Sequence, residues 1–156
     1  MSFRKGAHTG RAESKDNTGY QRFPRAGLGN VGSYQVAGIP YLTGSGATIA
    51  SGSTMGYSFP SVTRHITVIN KSTTNVGLKV HFAEVNNWDT NNHFITLDNF
   101  GDSIAMDVKS TKVYVTSKAA NGHVEIFAEL TGISRDQMFP LSGGGTPLNT
   151  ITGIDS

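Results

Sequence analysis

Cysteine is absent from the 156 residues, which removes disulfides and thiolate metal sites and excludes a small secreted scaffold stapled by bridges. Charge is scarce: Asp, Glu, Lys and Arg make up 15% of the chain and hydrophobic residues 37%, both low for a soluble enzyme. No run approaches the roughly 18 apolar residues of a membrane span, so no membrane partner is expected. The opening MSFRKGAHTGRAESKD lacks the apolar core of a secretory signal, and synthesis in a cytoplasm is the expectation. Helical periodicity is missing from every window of ten or more residues.

What is present is the vocabulary of strands and turns. Nineteen glycines, with many Ser, Thr and Asn, separate short segments of alternating polarity. RHITVINKSTTNVGLKVHF (64–82) reads as two half-buried strands joined by a polar turn, a hairpin with Ile66 and Val68 on one side and Leu78, Val80 and Phe82 on the other. HVEIFAEL alternates most regularly, Val124, Ile126, Ala128 and Leu130 against His123, Glu125, Phe127 and Glu129. Further strands are expected over 33–39, ending near Pro40, in ATIASGSTMGYSF, and over 63–70, 77–85 and 94–97. Two more surround Ile104, Met106 and Val108, then Val113 and Val115. DNFGDS reads as a hairpin turn and SRDQMF as a single helical turn. Seven or eight short strands argue for an all-β fold, an antiparallel β-sandwich of immunoglobulin-like or jelly-roll order.

Charge divides the chain. Residues 1–30 carry six basic side chains (Arg4, Lys5, Arg11, Lys15, Arg22, Arg25) against Glu13 and Asp16, a net +4 that leaves −2 for the rest of a +2 chain. With few large apolar residues, this segment reads as a basic extended arm, 31–140 as the sandwich and 141–156 as a flexible Gly-rich tail.

Constellations suited to chemistry are few. His81 and Glu84, near His93, have strand spacing that sends them to opposite faces, so they read as solvent-facing and not as a zinc site. Asp98, Asp102 and Asp107 lack the patterned loop of a calcium hand. Glu125 and Glu129 are about 13 Å apart by strand rise, too far for a glycosidase pair. Neither GxSxG nor HExxH occurs, GLGNVG lacks its strand–helix context, and SGGGTP has no lysine. Asn70-Lys71-Ser72 is a glycosylation sequon that matters only in a secretory pathway. No catalytic group, metal or cofactor is expected. The arm would neutralise only about four phosphates, a weak nucleic-acid term.

The segments VGSYQVAGIPYLTGSG, FPSVTRHITVIN followed by GLKVHF, and AELTGI resemble small virion structural proteins of tailed bacteriophages, marine ones especially. The resemblance covers residues 31–140 and implies a non-enzymatic protein of the virion that decorates or cements a capsid. Its implied partner is the major capsid protein or another virion protein, and a homo-oligomer is expected. Three alternatives stay open: a tail or neck accessory, a small jelly-roll coat protein with a nucleic-acid-binding arm, and a carbohydrate-binding module stacking sugars on Trp88, Tyr57 or Tyr114. On any docking reading the contact residues are in the arm and one loop. Phe3, Tyr20, Phe23 and Leu28 would bury aromatic and apolar surface; Arg4, Lys5, Arg11, Arg22 and Arg25 would meet acidic groups. Trp88 would be a contact tip or a cap on the core.

Overall fold

The computed structural model describes residues 27–28, 38–73, 75–82 and 93–138. The proposed domain boundaries at 30 and 140 fall outside these residues. Among the described residues eight strands occur: β1 (Ile39–Gly44), β2 (Thr54–Ser58), β3 (Ser61–Asn70), β4 (Leu78–His81), β5 (Ile95–Leu97), β6 (Ser103–Met106), β7 (Lys112–Ser117) and β8 (Val124–Ser134). They form two four-stranded antiparallel sheets, β1-β8-β3-β6 and β2-β7-β4-β5. The pairs are nested: β1 with β8, β2 with β7, β3 with β6, β4 with β5. Distributing alternate pairs of such a nest to opposite sheets produces the jelly-roll order, one of the two that the sequence leaves open.

Alternation explains which residues meet between the sheets. Val124, Ile126, Ala128 and Leu130 of β8 face inward beside Ile66 and Val68 of β3, and Leu78, Val80, Val113 and Val115 face them from the second sheet. Phe59, fully buried on the β2–β3 link, meets Tyr41 edge to face with centroids 5.9 Å apart. The turn expected in SRDQMF is a 3₁₀ turn at Arg135–Gln137.

Three expectations require correction. The stretch 64–82 is not a hairpin: β3 and β4 lie in different sheets, and 71–77 crosses between them. DNFGDS is a turn, with Gly101 at φ +85° and Asn99 N–H donating to Asp102 Oδ2 at 2.8 Å, yet it too joins strands of different sheets. The strand expected to end near Pro40 runs on through it to Gly44, and 33–37 lie outside the described residues. Pro40 sits inside β1, an edge strand, where a missing N–H can face away from the sheet.

Candidate interaction surface

The nested pairing gives the sandwich two unlike poles. At one, the β1–β2, β3–β4, β5–β6 and β7–β8 links are tied to one another. Asn70, fully buried, donates from Nδ2 to the carbonyls of Val76 (2.8 Å) and Leu97 (3.0 Å) and accepts from Ser72 N–H at 3.0 Å. Ile49 and Gly122 form an isolated bridge between the first link and the last. Ser45 Oγ pairs with His123 Nδ1 at 2.6 Å and accepts from Val124 N–H at 3.0 Å. Lys118 Nζ reaches Asp98 Oδ1 at 3.1 Å. The sequon asparagine is thus a brace, its amide enclosed and engaged.

The opposite pole holds the β2–β3 and β6–β7 links. The described residues that flank 29–37, 83–92 and 139–156 all lie here: Gly38 before β1, His81 at the end of β4 and Phe82 after it, His93 and Phe94 before β5, and Met138 after β8. Leu28, half-buried, is tied to the same end, its carbonyl accepting from Lys109 Nζ at 2.9 Å. Of the contact residues named from sequence, Leu28 alone is described; Phe3, Arg4, Lys5, Arg11, Tyr20, Arg22, Phe23, Arg25 and Trp88 lie outside the described residues. Connectivity nonetheless brings the attachment points of the arm and of the Trp88 loop, some 60 positions apart in the chain, to one pole.

Sequence reasoning missed two further features. The first is an exposed apolar strip along β1 and the outer face of its sheet. Leu42, outward opposite Phe127, is 78% exposed, while Ile39, 63% exposed at the start of β1, lies on the other face of the strand. An open groove of about 460 Å³ runs beside Leu42 between Phe127, Ile69 and Glu125. Charged side chains near it are paired, Arg64 Nε with Glu129 Oε2 at 2.9 Å and Lys71 Nζ with Glu125 Oε2 at 3.8 Å, and His65 Nδ1 hydrogen-bonds Asp107 Oδ1 at 2.7 Å. The alternation of HVEIFAEL signals the buried face of β8; that Leu42 faces outward emerges only from its register opposite Phe127.

The second feature corrects the reading of His81. It occupies an outward position on the second sheet but is only 3% exposed. Its Nε2 hydrogen-bonds Thr116 Oγ1 at 2.8 Å, which in turn meets Thr54 Oγ1 at 2.6 Å, and its ring stacks on Tyr114. No group of three or more His, Cys, Asp or Glu side chains is arranged for a metal among the described residues. Tyr57 and Tyr114 are buried, so neither provides an open platform for a sugar ring. No known protein family, curated protein or solved structure matches the chain.

Proposed function

We propose that this chain is a non-enzymatic virion structural protein, a decoration or cement protein that docks on the major capsid lattice through its N-terminal arm and its sandwich edges. The observation that carries the reading is the inequality of the two poles. One end is closed by links bonded to one another; the other anchors Leu28 and bears the attachment points of the basic arm, the Trp88 loop and the C-terminal segment. A body with one tied end and one end carrying long segments suits a part that is held in place on a lattice. The exposed β1 strip adds an edge onto which a neighbouring strand can pair. Jelly-roll order supports the reading at the level of architecture, being used by viral capsid and lectin domains, although fold alone does not fix function. Burial of Tyr57 and Tyr114 weighs against the sugar-binding alternative.

The test compares the whole chain with a chain beginning at Val31, by light scattering on a sizing column and by co-sedimentation with preformed capsids that lack the protein. The expected result is a small oligomer that sediments with capsids only when residues 1–30 are present. Large closed shells formed by the protein alone, with assembly strongly dependent on salt, would identify a coat protein and overturn the decoration reading.

A further inference from the structure

We infer that β1 is a self-pairing edge, through which two copies of the chain join antiparallel about a two-fold axis at Leu42. The inference is independent of the virion reading. Its basis is the direction in which the β1 backbone points. Ser45 N–H donates to Val124 C=O at 3.0 Å, which fixes the phase of the β1–β8 ladder. In an antiparallel pair the bonding alternates, so Thr43, Tyr41 and Ile39 turn their backbone groups toward β8, and Gly44, Leu42 and Pro40 turn theirs away. Pro40, which has no N–H, stands in an outward-pointing position, the one placement that removes no bond from the ladder.

The open edge therefore presents the N–H and C=O of Leu42 and Gly44 and the C=O of Pro40. That set is self-complementary. With the axis at Leu42, the two Leu42 residues exchange both of their bonds, and each Gly44 N–H meets the C=O of Pro40 across the axis. The side chains agree with the backbone. Leu42, Phe127 and the groove beside Ile69 lie on one face, so pairing would join two apolar strips into one. No charged residue occurs in β1, and the acids behind it on β8 are already paired within the protomer by Arg64 and Lys71. This neutral strip gives a highly basic segment little to bind and sets no like charges against each other when it meets its own copy.

Two substitutions in the full chain test this. Leu42→Pro deletes the outward N–H while leaving every β1–β8 bond in place, and Leu42→Lys keeps the backbone but sets two ammonium groups side by side at the axis. Light scattering with sizing should give a dimer for the unaltered chain and half that mass for both variants, each with unchanged cooperative melting. Hydrogen exchange on the unaltered chain supplies a readout that no variant can spoil by misfolding. The Leu42 and Gly44 amides should slow by about tenfold or more between concentrations well below and well above the dimer dissociation constant, with Tyr41 and Thr43 protected at both. A monomer at all concentrations overturns the inference. So does an oligomer whose mass survives both variants, or exchange at Leu42 and Gly44 that ignores concentration.

Discussion

Replacing Asn70 with alanine should damage the fold far more than a polar residue at the end of a strand would suggest. The side chain is 0% exposed and makes three hydrogen bonds, two donated from Nδ2 and one accepted by Oδ1. Its partners, Val76 C=O, Leu97 C=O and Ser72 N–H, belong to the β3–β4 crossing and to the end of β5, so one residue ties three segments across both sheets. Alanine leaves all three partners in place and enclosed. An ordinary hydrogen bond contributes about 1 kcal/mol net, but a buried group stripped of its partner costs about 1–3 kcal/mol, which puts the total near 3–5 kcal/mol. Against a domain stability of about 5–15 kcal/mol this is a large fraction. The corresponding fall in melting temperature is roughly 10–25 °C. Urea unfolding followed by far-UV circular dichroism and by fluorescence gives the number directly, provided both probes report one transition. Asn70→Asp sharpens the test, because the new carboxylate would face two carbonyl oxygens and carry a buried charge. It should be at least as damaging as alanine at neutral pH and recover partly in acid, when the carboxyl can donate one bond. A loss below about 1 kcal/mol for Asn70→Ala, with unchanged denaturant slope, would mean that the crossing holds itself without this brace.

Other positions give narrower tests. Gly44→Ala should destabilise by about 1–3 kcal/mol, since an added Cβ would stand 2.5 Å from the Val124 carbonyl oxygen, a backbone atom that cannot swing aside; chemical denaturation showing no loss would contradict the close approach of β1 to β8. Burial pushes the Tyr57 phenol above its ordinary value of 10.0, a hydrogen bond with Ser45 offsetting part of the rise. Because the folded-state value is the higher one, Tyr57 contributes its full stability below pH 10 and loses it as pH climbs through the folded value. Thermal melts on the alkaline side should therefore fall less steeply for Tyr57→Phe than for the parent chain, and parallel curves would refute the assignment. Arg64→Ala breaks an ion pair whose side chains are 27% and 30% exposed, so the loss should stay within about 1 kcal/mol.

How much of this was legible in the sequence depends on what alternation encodes. Period two tells which side of a strand is wet, and for β8 it did so residue by residue: Val124, Ile126, Ala128 and Leu130 are buried and Glu125 is exposed. It says nothing about which strand lies alongside. The link 71–77 is polar and rich in turn residues, as a hairpin loop would be, and the crossing it makes is braced by Asn70, whose amide reaches past its own loop to Leu97. Such a contact has no local signature. His81 shows the complementary failure. Alternation placed it outward correctly, but outward positions of the second sheet are not all wet, and Thr116 and Tyr114 share its burial.

The candidate site was legible in a different sense. Composition singled out the basic arm, and the tryptophan in an Asn-rich loop drew attention to 83–92, but nothing in the sequence relates the two. Nested pairing does. Once β1 pairs with β8, β2 with β7, β3 with β6 and β4 with β5, the chain must alternate between poles at every link. The described residues at the entry to β1, on either side of 83–92 and at the exit from β8 then fall at one end by parity alone. The four links at the other end run 45–53, 71–77, 98–102 and 118–123, and are bonded among themselves. Parity also forbids the reverse arrangement: no choice of loop length could move Phe82 and His93, the described residues on either side of 83–92, to the tied pole without breaking a strand pair. The β1 edge is likewise a product of topology, because among the described strands the first of the nest pairs with β8 alone.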